Sequence, residues 1–157
     1  MSAHMEATRV LLVCSPGGHL QQMLALEPAW RGAQRSWVTL PGADVGYLLT
    51  EERVELGHGP TNRSIANLLR NLTLAWRVVR RERPDAILST GAGLAVPFFL
   101  VGKLLRRRLV YVESVTRTET ISLSGRLVYR LADRFFVQWP GAAERLRRAE
   151  YAGGGVL

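Results

Sequence analysis

What this chain lacks narrows it first. It has one cysteine, Cys14, and three histidines among 157 residues, so an internal disulfide is excluded and no spacing suited to a structural metal exists. The expected setting is reducing and cytosolic, with neither metal nor cofactor required. Long apolar runs are missing as well. The longest, Leu94 to Leu105, is about twelve residues interrupted by Pro97, Gly102 and Lys103, against the roughly 20 that a membrane-spanning helix needs. A spanning segment is therefore not expected, nor is a signal peptide, and Met1–Met5 reads as an expression-vector remnant and natural start. Repeats, low-complexity tracts and linkers are absent too, so residues 6–157 are expected to form a single domain. Such a length buries about 68–70% of the surface of its unfolded chain.

What is present is positive charge, nearly all of it arginine: 21 basic against 13 acidic residues give a net charge of +8. That balance points to an anionic partner, which nucleic acid, anionic lipid and a phosphorylated substrate all satisfy; the alternative is arginine that merely solvates the surface. The few aromatics are not interleaved with basic residues and no recognition motif occurs, which weighs against nucleic acid.

Short apolar runs alternate with longer helical periodicities, a pattern of βα units around a mainly parallel sheet. Strands are expected near Val10–Val13, Ser36–Leu40, Ala86–Leu88, Leu109–Val112 and Phe135–Val137. Helices are expected over His19–Ala29, Ser64–Glu82, Leu94–Leu105, Ser124–Ala132 and Ala142–Ala149. Within Ser64–Glu82, Ile65, Leu68, Leu69, Leu72, Trp76 and Val79 recur at helical steps and read as the core face. Opposite them, Leu74 and Val78 lie among Arg70, Arg77 and Arg81, a mixture suited to an anionic membrane surface or to plain solvent.

Two glycine turns carry the chemistry. Cys14-Ser15-Pro16-Gly17-Gly18-His19-Leu20 joins the first strand to a helix, and Ser89-Thr90-Gly91-Ala92-Gly93 follows a later strand. Glycine permits close backbone approach to an anion and a helix start offers unpaired N–H groups, so both turns suit phosphate; the alternative is a tight strand-to-helix connection. Their position at strand carboxyl ends points to one crevice, where Glu113-Ser114 adds a carboxylate. Neither turn has the Gly-x-Gly-x-x-Gly spacing or the Gly-Lys-Ser/Thr ending, which weakens dinucleotide and nucleotide-triphosphatase readings.

The ordered set Ser-Pro-Gly-Gly-His-Leu at 15–20, Ser-Thr-Gly-Ala-Gly at 89–93, Tyr-Val-Glu-Ser at 111–114, Leu-Ser-Gly-Arg-Leu-Val-Tyr at 123–129, Ala-Asp at 132–133 and Phe-Val-Gln-Trp-Pro at 136–140 resembles the asparagine-linked glycosylation protein fourteen family. The resemblance implies a Rossmann-like α/β domain, with helices on both faces of a mainly parallel sheet, equivalent to the amino-terminal half of a GT-B glycosyltransferase. It implies a subunit that holds a polyprenyl-diphosphate-linked acceptor on the cytoplasmic face of a membrane, bound peripherally, while a small UDP-sugar-binding subunit completes the enzyme. The alternatives kept beside it are a nucleic-acid-binding module and a membrane-recruiting scaffold without acceptor contacts.

Carried over by position, the acceptor-binding residues implied are Ser15, Gly17, Gly18, Arg63, Thr90, Gly91, Gly93, Ser114 and Arg117. His19 stands as base or diphosphate contact, and Glu113 as the alternative base or as an acceptor that organises its loop. Gln138, Trp139, Pro140, Tyr151, Val156 and Leu157 stand for partner binding.

Overall fold

Along β1 (Arg9–Val13) Leu11 and Val13 fall on one side of the chain and Leu12 on the other, all fully buried, which is the signature of a strand covered on both faces. The computed structural model describes residues 7–62 and 64–151 and builds outward from this strand. β2 (Gln34–Thr39), β3 (Val54–Leu56), β4 (Ala86–Ser89), β5 (Arg108–Val112), β6 (Arg134–Val137) and β7 (Ala149–Tyr151) complete a seven-stranded sheet of order β3-β2-β1-β4-β5-β6-β7. Every pairing is parallel.

The connections divide between two layers. α1 (Gly18–Ala25), α2 (Glu27–Trp30) and α3 (Ala43–Leu48) cover one face, where Leu12, Cys14, Leu20, Met23, Trp30, Trp37 and Val45 pack together. α4 (Ile65–Glu82), α5 (Ala95–Leu104), α6 (Leu123–Val128) and α7 (Pro140–Arg145) cover the other, over Leu11, Val13, Ile87, Phe98, Tyr111 and Phe135. Burial pushes the Cys14 thiol up to about 12, so it serves as a small apolar group rather than a nucleophile. Asp133 holds the β5 entry, its carboxylate accepting from Leu109 N–H at 2.8 Å and from Lys103 at 3.1 Å.

Several expectations shift. The expected helix His19–Ala29 breaks at Leu26, because Pro28 starts a separate turn in α2. The expected helix Ser124–Ala132 ends at Val128, and Ala142–Ala149 is α7 followed by β7. β3, β7 and α3 are additions.

The largest correction concerns α4. Its buried side consists of Asn67, Asn71, Leu74, Ala75, Val78 and Val79, whereas Ile65, Leu69 and Trp76 are 76%, 59% and 40% exposed. Only Val79 of the expected core face is buried, and Leu74 and Val78 are core rather than surface. The reason is polar. Asn71 Oδ1 accepts from His58 N–H and its amide donates to the His58 carbonyl, both at 2.8 Å, while the Asn67 amide donates to the Pro60 carbonyl at 2.9 Å. Two side chains that look solvent-facing are thus spent on the backbone of residues 58–60, and that fixes the rotation of the helix. Arg77 and Arg81 both pair with Glu55 instead of lining a membrane face.

Candidate active site at the carboxyl edge of the sheet

Strand order reverses direction between β1 and β4, and ligands in open α/β sheets bind in the crevice beyond such a switch point. The two glycine turns meet there. Gly17 takes φ +75°, which favours glycine, and α1 starts at the next residue. This helix has no side-chain cap of its own and no acidic residue in its first turn; the Asp44 carboxylate takes the Gly17 N–H at 2.6 Å, and the N–H groups of the first turn of α1 are left for an anion. Ser15 Oγ, beside the turn, is buried without a hydrogen-bond partner.

His19 is held by residue 90 from two directions. Its Nδ1 lies 2.9 Å from the Thr90 carbonyl, and Thr90 Oγ1 donates to the His19 carbonyl at 2.7 Å. A carbonyl only accepts, so Nδ1 carries the proton; in the neutral ring Nε2 is then the atom with a free lone pair. Gly91, at φ +120°, lies between this ring and β5: a Cβ there would stand 3.0 Å from His19 Cε1 and 3.1 Å from the Tyr111 hydroxyl. Gly93 lies equally close to the residues after β3, since a Cβ would meet Thr61 at 2.9 Å. Both glycines are demanded by close approach.

Glu113 follows β5 and is 1% exposed. Its carboxylate accepts from Ser114 N–H and Ser122 N–H at 2.9 Å and from Ser122 Oγ at 3.0 Å. The Glu113 carbonyl accepts from the buried Gln22 amide at 2.9 Å, which ties α1 to this loop. Gly125 is pressed against it, since a Cβ would come within 2.2 Å of Oε2. The carboxylate is thus the anchor of residues 114–122, the stretch that presents Arg117. Arg117 is exposed there, its N–H donating to the Ser114 carbonyl at 3.0 Å. Tyr111 Oη lies 3.4 Å from Ser122 Oγ. Burial first, with the Glu113 charge second, pushes this hydroxyl up to about 12, so it stays protonated at working pH.

The structure places Ser15, Gly17, Gly18 and His19 after β1, Thr90, Gly91 and Gly93 after β4, and Glu113, Ser114 and Arg117 after β5, all at the carboxyl edge of the sheet, with His19 bonded to Thr90 and close to Gly91. Gln138 is buried at the end of β6, Trp139 Nε1 donates to the Val115 carbonyl at 2.6 Å, and Pro140 opens α7. Tyr151 closes β7 and is 42% exposed. Arg63, Val156 and Leu157 lie outside the described residues. Sequence reasoning missed Gln22, Asp44, Tyr111 and Ser122. A serine preceding the Leu123–Val128 helix was a legible cap signal, since Ser122 Oγ accepts from Gly125 N–H; Asp44 carried none. Among the described residues no group of three or more His, Cys, Asp or Glu side chains could hold a metal.

A parallel sheet of this order, with helices on both faces and a switch point between β1 and β4, is a Rossmann-like domain. The fold is similar to that of two solved chains: MurG of Acinetobacter baumannii, at TM-score 0.70 and 21% identity over 85% of this chain and 42% of that one, and a UDP-N-acetylglucosamine 2-epimerase of Rickettsia bellii, at TM-score 0.75 and 10% identity over 96% and 45%. This chain spans less than half of each.

The family model described as oligosaccharide biosynthesis protein Alg14 like matches residues 52–155, and the chain belongs to that family of glycosyltransferase subunits. The UDP-N-acetylglucosamine transferase subunit ALG14 of Eremothecium gossypii is 34% identical over 92% of this chain and 78% of its own length. The human protein of the same name is 34% identical over 57% of this chain and 44% of its own length.

Proposed function

We propose that this chain is the acceptor-holding subunit of a two-component transferase, which passes a sugar from a UDP-sugar to a polyprenyl-diphosphate-linked saccharide. The observation that carries the reading is the double hydrogen bond between His19 and Thr90, which sets an imidazole with a free Nε2 lone pair in the first turn of α1. The acceptor's diphosphate lies against the Ser15–Gly18 turn and Arg117, with the wall from Ser114 to Ser122 held by Glu113. His19 Nε2 takes the proton of the acceptor hydroxyl as that oxygen bonds to the anomeric carbon. The anomeric carbon–oxygen bond to UDP breaks, and UDP leaves with the electron pair. Glu113, buried and saturated with donors, positions the loop rather than taking the proton.

The relatives' name supports N-acetylglucosamine as the sugar, and the word subunit in that name supports a separate chain for the UDP-sugar. Exposed Trp139, Pro140 and Tyr151, at the carboxyl ends of β6 and β7, support docking of that subunit there, whereas Gln138 is buried and is withdrawn as a contact.

The outer side of the second helix layer supports peripheral attachment to the cytoplasmic face of a membrane. Ile65, Leu68, Leu69 and Trp76 on α4, Leu100 and Leu104 on α5, and Leu123 and Leu127 on α6 are all exposed. Arg70, Arg106, Arg126 and Arg130 are exposed on or beside the same elements, and the Arg80 guanidinium lies 5.4 Å from the centre of the Trp76 ring. An apolar face rimmed by arginine suits anionic headgroups. Among the described residues no helix is long and apolar enough to cross a membrane.

The test is a transfer assay on anionic vesicles that carry a lipid-linked acceptor. Chain and partner together form product, whereas either alone forms none. Ile65→Ser with Leu69→Ser and Trp76→Ser weakens vesicle binding about 100-fold or more, each lost apolar side chain being worth about 1.5–3 kcal/mol at full burial. Full activity from this chain alone contradicts the split-enzyme reading, and unchanged vesicle binding contradicts the membrane face.

A further inference from the structure

The Gly17 N–H, at the centre of the anion-binding turn, is already taken: it donates to Asp44 Oδ2 at 2.6 Å, from a residue 27 positions away. Asp44 belongs to the first turn of α3, and the backbone before it lies flush against the turn. A Cβ on Gly42 would stand 2.8 Å from Pro16 and 2.7 Å from Asp44 Oδ1. A carboxylate is thus built into a site whose other features favour anions.

From this placement we infer that Asp44 is a specificity-determining residue, which admits a diphosphate diester and rejects free diphosphate anions of higher charge. The inference rests on the acceptor-site reading given above. With Gly17 engaged, the donors left to a phosphate are those at the start of α1, at most a few residues from the Asp44 charge. A diphosphate linked at both ends, to lipid and to sugar, carries one negative charge per phosphorus. Inorganic pyrophosphate and the released UDP each end in a monoester-like phosphate, whose further ionisation at a pKa of about 6 adds roughly one charge at pH 7. That additional charge faces the carboxylate, so the repulsion falls selectively on the free anions. The consequence is practical: a site that handles diphosphate next to a subunit releasing UDP avoids being filled by the product of its own reaction.

Asp44→Asn separates the charge from the hydrogen bond, because the amide oxygen still accepts from Gly17 N–H. The probes are a fluorescent short-chain polyprenyl-diphosphate-linked N-acetylglucosamine and its displacement by inorganic pyrophosphate and by UDP, measured on the full chain. In Asp44→Asn both free anions compete about tenfold better than in the unmodified chain, and the affinity for the lipid-linked probe changes less than about threefold. The gain shrinks at high salt, as a charge effect must. Asp44→Ala, which also frees the Gly17 N–H, weakens the probe as the turn loosens. Equal shifts for diester and free anions, or none in Asp44→Asn, overturn the charge-selection role while leaving the acceptor site intact. An unmodified chain that does not bind the lipid-linked probe overturns the acceptor-site reading itself, and this inference with it.

Discussion

Replacing His19 by alanine in the reconstituted pair is expected to lower kcat by about 10²–10⁴-fold, the range that a positioned general base supplies. The Thr90 carbonyl orients the ring and fixes its tautomer, so the loss should fall on turnover. Acceptor affinity should move far less than turnover, because the helix start, not the imidazole, provides the anion donors. A His19 that serves as a diphosphate contact gives the opposite split, with KM raised and kcat nearly preserved. His19→Gln distinguishes the two further: it keeps a polar group at the site but no base of comparable strength, and should remain as inactive as the alanine variant.

For Glu113 the expected outcome is loss of stability before loss of chemistry. Glu113→Ala leaves the N–H groups of Ser114 and Ser122 and the Ser122 hydroxyl without their acceptor in a place that is 1% exposed. Unmet buried donors of this kind cost about 1–3 kcal/mol each and do not add fully, so a loss of about 3–5 kcal/mol is expected. In a chain of this size that lowers Tm by about 6–20 °C. Glu113→Gln keeps one accepting oxygen but turns an amide N–H toward one of the remaining donors, and should fall between the two. Gly125→Ala tests the same anchor from the other side, because its methyl would occupy the space of Glu113 Oε2. Normal melting of Glu113→Ala with turnover lost would instead assign Glu113 the role of base.

The glycine turns were far more legible in the sequence than the residues that surround them. Glycines at strand ends announce themselves, and Gly17, Gly91 and Gly93 each meet a positive φ or a close approach that only glycine tolerates. β1, β4, β5 and β6 stood out as apolar runs because both faces of a parallel sheet are covered. β3 and β7 did not: each is three residues on a sheet edge with a glutamate at its centre, too short for any periodicity to register.

The face of α4 was misread for a different reason. Its apolar residues fit a helical stripe, but burial went to the neighbouring stripe, where Asn67 and Asn71 bind the backbone after β3. A polar residue bonded to a loop is indistinguishable in sequence from one bonded to water, and the stripe left outside became the apolar surface of the second layer. Asp44 was invisible on the same ground. Its partner is a backbone N–H contributed by another βα unit, so nothing near residue 44 signals the contact.

The central claim is a division of labour, with diphosphate acceptor on this chain and UDP-sugar on its partner. Equilibrium binding to the isolated chain tests it most directly, with a short-chain polyprenyl-diphosphate-linked N-acetylglucosamine and UDP-N-acetylglucosamine titrated separately. Saturable binding of the lipid-linked compound, lost when Gly17→Val strains the φ +75° turn before α1, together with no measurable binding of the UDP-sugar, is the predicted result. Tight binding of UDP-N-acetylglucosamine with none of the lipid-linked compound would contradict it.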